Sequence, residues 1–221
     1  MPAKPLLYTS PGSQHCRRVM LLVQELPLAI DTRVVDVRPP GMGGENESPP
    51  FLALNPNGKV PVLTHGDALV LFESNAIMAY LCDLFGETPL LPRDPATRGQ
   101  VLAWQFWQAS HLSPTADGFM AENMGKPMFG LEPDPERIKT LEVELDRWAR
   151  VLEHALTETP FLVAGQLTCA DLSVAAALMY AHAAQFSLDG YPQLAAWLRR
   201  MQARESWRET EPPPMDLSLT P

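Results

Sequence analysis

The chain has 221 residues, 46% hydrophobic and 19% charged, with a formal charge of −9, a length that allows one large domain or two smaller ones, each able to bury a core. That charge, with no basic stripe set against it, disfavours nonspecific binding to nucleic acid, which rests on neutralising phosphates. No window approaches the ~18 apolar residues of a membrane span, and "MPAKPLLYTS" lacks the charged-then-apolar order of a secretory signal, so a cytoplasmic protein with no membrane and no nucleic-acid partner is expected.

"PLLYT" (5–9) reads as a strand. In residues 13–26, Val19, Leu22, Val23 and Leu26 recur at the spacing of one helical face, and Pro27 ends the helix. "DTRVVDV" (31–37) alternates and is β-branched, so the first 37 residues read β-α-β with a parallel pair. Residues 45–58 form a loop with one short helix. "VPVLTHG" and "ALVLFE" make an antiparallel hairpin around Gly66-Asp67. From Ser74, Ile77, Leu81, Leu84 and Phe85 share a helical face that closes at Gly86.

"ETPLLPRDPAT" carries prolines at intervals of three, and 88–97 reads as a linker. Strand signals then vanish. Residues 98–125 are helical in pattern, with a bend expected at Pro114. Asp134-Pro135 opens a helix with Ile138, Leu141, Leu145, Trp148 and Leu152 along one side. Thr168 and Asp171 form the T-x-x-D of a capping box, and a last helix near 192–204 buries Leu194, Trp197, Leu198 and Met201. The expected fold class is α/β plus all-α. Its domains are 1–87 with the order βαβ-ββα, the linker 88–97, and an all-helical 98–221 ending in a proline-rich tail.

Cys16, Cys82 and Cys169 are an odd number at unrelated spacings, which argues against a disulfide framework or a zinc site, so reduced thiols and no metal are expected. Dithiol exchange needs C-x-x-C, and Ser13 stands where the first cysteine would be. Cys16 alone reads as a small buried hydrophobe.

Four stretches in order, "SPGSQHCRRV", "NPNGKVPVL", "FESNAIMAYL" and "TCADL", resemble those of the glutathione transferases, of the serine-type classes related to theta and nu. The resemblance covers nearly the whole chain. It implies a thioredoxin-like amino-terminal domain that binds glutathione, a helical domain, a hydrophobic electrophile in the cleft between them, and a homodimer.

It also assigns roles. Ser13, otherwise a helix cap, becomes the donor to the glutathione sulfur, with Tyr8 and Ser10 as rivals. On this reading Ser13 does both jobs only if sulfur replaces the backbone as its hydroxyl's partner. Val60, before a cis Pro61, pairs with the cysteinyl backbone, and Lys59 takes the glycyl carboxylate. Glu73 and Ser74, otherwise a dipole partner and a cap, take the γ-glutamyl ammonium and carboxylate. Trp107 and His111 are placed in the co-substrate wall, whereas Trp104, in an aromatic stripe at helical spacing, reads as core. The function implied is conjugation of glutathione to small hydrophobic electrophiles. The alternatives are a glutathione-dependent isomerase or ether-cleaving enzyme on the same scaffold, or a non-catalytic binding module.

Overall fold

The computed structural model describes residues 4–39, 41–185 and 187–212; the end of the proline-rich tail lies outside them. They fall into two compact units, one up to Thr88 joined by residues from Glu205, the other Pro89–Arg204. Among the described residues no helix is long and apolar enough to cross a membrane.

The first unit is built on a four-stranded sheet in the order β2-β1-β3-β4. β1 (Leu6–Thr9) runs parallel to β2 (Asp31–Val34) and antiparallel to β3 (Val62–His65), which pairs antiparallel with β4 (Leu69–Phe72). Alternation along β1 sends Leu7 and Thr9 to one face and Tyr8 to the other. On the Tyr8 face lies a cluster of Val35, Phe51 and Val62, with Phe51 supplied by the short helix α2 (Pro49–Leu54). α1 (Gln14–Glu25) and α3 (Ser74–Phe85) pack against each other, burying Val19, Leu22, Ile77, Met78 and Leu81.

β2 is shorter than the expected 31–37, and all four of its residues are exposed. It is an edge strand, so regular pairing stops once the chain leaves β1, although Val35 N–H still donates to Thr9 O at 2.8 Å. α3 also differs in its cap. Glu73, not Ser74, occupies the cap position, with φ 73° and no capping side-chain bond, and Ser74 is the first helical residue. A glutamate in that left-handed region is strained.

The returning segment from Glu205 is held by Arg17 of α1. Its Nη2 donates to Trp207 O at 2.9 Å, and its guanidinium lies 4.0 Å over the Trp207 ring. Ser206 in α10 (Glu205–Glu209) bonds to Glu25.

In the second unit, α4 (Pro95–Trp107) is capped by Asp94, which accepts from Thr97 N at 2.8 Å. The helix thus starts inside the stretch read as linker. Where the sequence suggested a bend at Pro114, a π turn, Gln108–Leu112, leads into α5 (Ser113–Met120) with Pro114 in its first turn. A widened turn just before the proline accommodates a residue with no N–H to donate. A second π turn, Ala121–Gly125, precedes the single turn α6 (Lys126–Met128).

α7 (Pro135–Ala155) is capped by Asp134, and its Glu153 carboxylate takes the free N–H groups of Gln193 and Leu194 at the start of α9 (Pro192–Gln202). α8 (Cys169–Ala177) is buried on every face, as its lack of a polar side predicts. Asp171, fully buried, accepts from Thr168 N and Oγ1, Leu162 N and Trp197 Nε1 at 2.9–3.1 Å. Burial pushes its carboxyl above the ordinary carboxylate range, against the pull of those four donors.

Candidate functional site

After β1 the chain turns through Ser10–Gly12, closed by Ser13 N–H donating to Ser10 O at 3.1 Å. Ser13 has extended backbone angles, φ −87° and ψ 119°, and its Oγ accepts from Cys16 N at 3.3 Å. It is therefore the helix cap. Capping and donation to a sulfur use different parts of this hydroxyl. Accepting the Cys16 N–H uses an oxygen lone pair, whereas a sulfur would take the hydroxyl hydrogen. Both bonds fit one side chain.

Cys16 is buried, and its Sγ accepts from Ser10 N at 3.3 Å. Burial raises its thiol above the usual value, opposed by contacts from Thr9, Ser10 and Ser13. A buried thiol of raised pKa is a poor nucleophile and a good brace for the turn.

The second wall comes from the loop before β3. The Val60-Pro61 bond is cis. Two buried asparagines hold its approach: Asn46 Nδ2 donates to Gly58 O at 3.1 Å, and Asn55 Nδ2 to Lys59 O at 2.7 Å. Reading "NPNGKVPVL" singled out Lys59, Val60 and Pro61 but not these amides. Asn55 carried a local signal as an asparagine opening an N-P-N-G turn, whereas Asn46 reaches across twelve residues and carried none.

The third wall is the junction of β4 and α3. Lys59, Val60, Pro61, Glu73 and Ser74 line one cavity of about 210 Å³, together with His15. A neighbouring cavity of about 960 Å³ is lined by Ser10 and Ser13 and shares His15, Asn57, Lys59 and Val60 with the first. All six residues assigned to catalysis and glutathione binding thus border two adjoining spaces. Ser10 borders the larger one too. Tyr8 turns away: its ring packs edge-on to Phe51 at 6.2 Å, with the Arg33 guanidinium 5.4 Å from its centre.

The charges around these spaces are mixed. Lys59 and Arg38 bring positive charge and Glu73 and Glu47 negative, with Arg38 paired to Asp36 at 2.9 Å. Such a lining suits a zwitterionic ligand with separated ends. The chain's −9 is no obstacle when cations stand at the rim.

Trp107 and His111 lie in the second unit. His111 stacks on Trp148 at 4.8 Å, and Trp107 meets Trp104 and Trp148 edge-on at 5.2 and 6.0 Å. Trp148 Nε1 donates to Thr115 Oγ1 at 3.2 Å, which joins α7 to α5. Trp104, read as core, is half-buried in the same cluster, as are Trp107 and Trp148, while His111 is exposed.

Comparison with known proteins gives a consistent result. The family model for the N-terminal domain of glutathione S-transferases matches residues 7–89, and that for the C-terminal domain matches 135–200. A glutathione S-transferase of Silene vulgaris is 31% identical over 211 residues, 92% of this chain and 95% of its own. Human glutathione S-transferase theta-2 is 31% identical over 195 residues, covering 86% of this chain and 78% of its own. The crystal structure of a glutathione S-transferase from Pseudomonas fluorescens superposes with a TM-score of 0.78 at 32% identity, covering 91% of this chain and 96% of that one.

Proposed function

The chain belongs to the glutathione S-transferase family, and from that premise we propose that Ser13 ionises the thiol of a glutathione held along Lys59, Val60, Pro61, Glu73 and Ser74, for attack on small hydrophobic electrophiles. One observation carries this reading: the Ser13 hydroxyl, at the mouth of α1, borders a cavity that shares Lys59 and Val60 with the one enclosed by Glu73 and Ser74.

A free thiol of pKa about 8.5 is mostly protonated at neutral pH, and the thiolate is the nucleophile. The Ser13 O–H donates to the sulfur, and the positive end of α1 favours the anion further. Glu73 pairs with the γ-glutamyl ammonium. Ser74 and the N-terminal end of α3 take the neighbouring carboxylate, and Lys59 takes the glycyl one. The backbone of Val60 pairs with the cysteinyl residue in the manner of an added strand.

Once the thiol proton has left to water, the thiolate donates an electron pair to the electrophilic carbon. The new S–C bond forms as the bond to the leaving group breaks, and the leaving group departs with its pair. The remainder of the rate comes from holding two reactants together. Trp107 and His111 are assigned to the electrophile, whose conjugation makes the reaction a detoxifying one. The division of labour follows the sequence boundaries, with glutathione on residues 1–87 and the electrophile on the helices that follow the 88–97 connection.

A homodimer accounts for the apolar surface that the first unit leaves uncovered. Val70 and Phe72 face outward from edge strand β4, and Leu84 and Phe85 end α3, each about two-fifths exposed. Three free cysteines suit a reducing cytoplasm.

The test is retention on immobilised glutathione together with a rate of thiol addition to an activated aryl halide. Retention with a rate supports the enzyme. Retention without one supports a binding module, and no retention removes the reading.

A further inference from the structure

The first turn of α1 holds Gln14, His15 and Cys16. Gln14 and Cys16 are 2% and 1% exposed and face inward, while His15 is half-buried and lines both cavities. In the smaller it stands with Glu73 and Ser74, and in the larger with Ser13.

If Ser13 holds the sulfur and Glu73 with Ser74 the far end of the γ-glutamyl group, the γ-glutamyl arm has to pass from one space to the other. Its path runs over the residues that both spaces share: His15, Asn57, Lys59 and Val60. Val60 offers its backbone to the cysteinyl residue, and Lys59 is committed to the glycyl carboxylate. Asn57 belongs to the loop wall opposite, where its Nδ2 donates to Asn55 Oδ1 at 2.9 Å. The imidazole of His15 is the side chain that stands on the α1 side of that path. It carries an N–H in either tautomer, and the γ-linked amide has a carbonyl to receive one.

We propose that His15 is a specificity-determining residue of the glutathione site, its ring contacting the γ-glutamyl arm so that a γ-glutamyl-extended thiol is selected over a bare cysteinyl one. This rests on the glutathione reading above. With its ring on the arm and the sulfur left to Ser13, His15 acts on affinity and leaves the chemical step alone.

The experiment uses the full chain with an activated aryl halide and two thiols, glutathione and cysteinylglycine, which share the sulfur and differ by the arm. His15→Ala is expected to raise KM for glutathione about five- to tenfold, the net effect of one hydrogen bond, with kcat within about twofold. The second-order rate constant with cysteinylglycine should be unchanged. His15→Gln, which keeps an N–H donor, should recover part of the loss, and it carries the test should the alanine variant fold poorly.

An equal loss on both thiols overturns the proposal, because the arm would then be irrelevant. So does an unchanged KM for glutathione, or a fall in kcat alone. A wild-type chain that shows no saturation with glutathione instead defeats the parent reading, and it does so before any variant is compared.

Discussion

Replacing Ser13 by alanine removes one hydroxyl that caps the Cys16 N–H at 3.3 Å in the free chain and that, on the function proposed above, also donates to the ionised sulfur in the complex. A hydrogen bond to a charged group contributes about 1.5–3 kcal/mol, and each 1.36 kcal/mol is one pKa unit, so the bound thiol's pKa should rise by about one to two units. Below both pKa values the thiolate fraction, and the rate with it, falls about 10- to 100-fold. Well above both, sulfur is ionised in either protein and the difference vanishes. The N-terminus of α1 remains in the variant, so the thiol stays more acidic than in free solution. The lost cap costs about 1 kcal/mol of stability or less, the bond being a long one. The assay is a pH titration of the thiolate's ultraviolet absorbance in the glutathione complex, run beside the pH–rate profile, with Ser13→Thr as the variant that keeps the hydroxyl. The reasoning fails if Tyr8→Phe moves the titration and Ser13→Ala does not, or if the rate loss persists undiminished at high pH.

Asp171→Ala should destabilise the helical unit by about 3–5 kcal/mol in a denaturant titration at fixed protein concentration, since four buried donors lose their acceptor; a loss under about 1 kcal/mol would show that they find other partners. Gly118→Ala would set a Cβ 2.5 Å from Leu141 Cδ2, in a fully buried side chain. Overpacking of about 2 kcal/mol then exceeds the helix-propensity gain of about 1, so the midpoint should fall, and a rise would refute the close approach. The Glu122 carboxyl is held below the ordinary range by the Asp134 N–H at 2.8 Å and Lys126 at 2.6 Å. Its contribution is therefore complete above the usual glutamate pKa and lost as pH falls through the lower folded value. The drop in unfolding midpoint over that acid range should be smaller in Glu122→Gln, and an identical drop would remove Glu122 from the account.

The amino-acid sequence by itself determined whatever depends on neighbours a few residues apart. The 3.6-residue period of Val19, Leu22 and Leu26, the proline after the first helix, Asp134 before Pro135, and the Thr168–Asp171 spacing are all local, because helix faces and caps are settled within one or two turns. The motif stretches were legible for the same reason, and their resemblance to the family put Ser13, Lys59, Val60, Pro61, Glu73 and Ser74 forward as site candidates.

Tertiary structure alone decided what depends on distant residues meeting. Nothing near Arg17 announces that it will hold Trp207, 190 residues later. Asn46 shows no sign in its own surroundings that it will pin Gly58, nor Tyr8 that it will spend its ring on Phe51 and Arg33. Whether His15 points to solvent, core or a cavity was equally undetermined, since the direction of a half-buried side chain at a helix start is set by the walls brought opposite it. A chain writes its local geometry in short-range pattern, whereas a cavity exists only after the strands and helices that enclose it have packed.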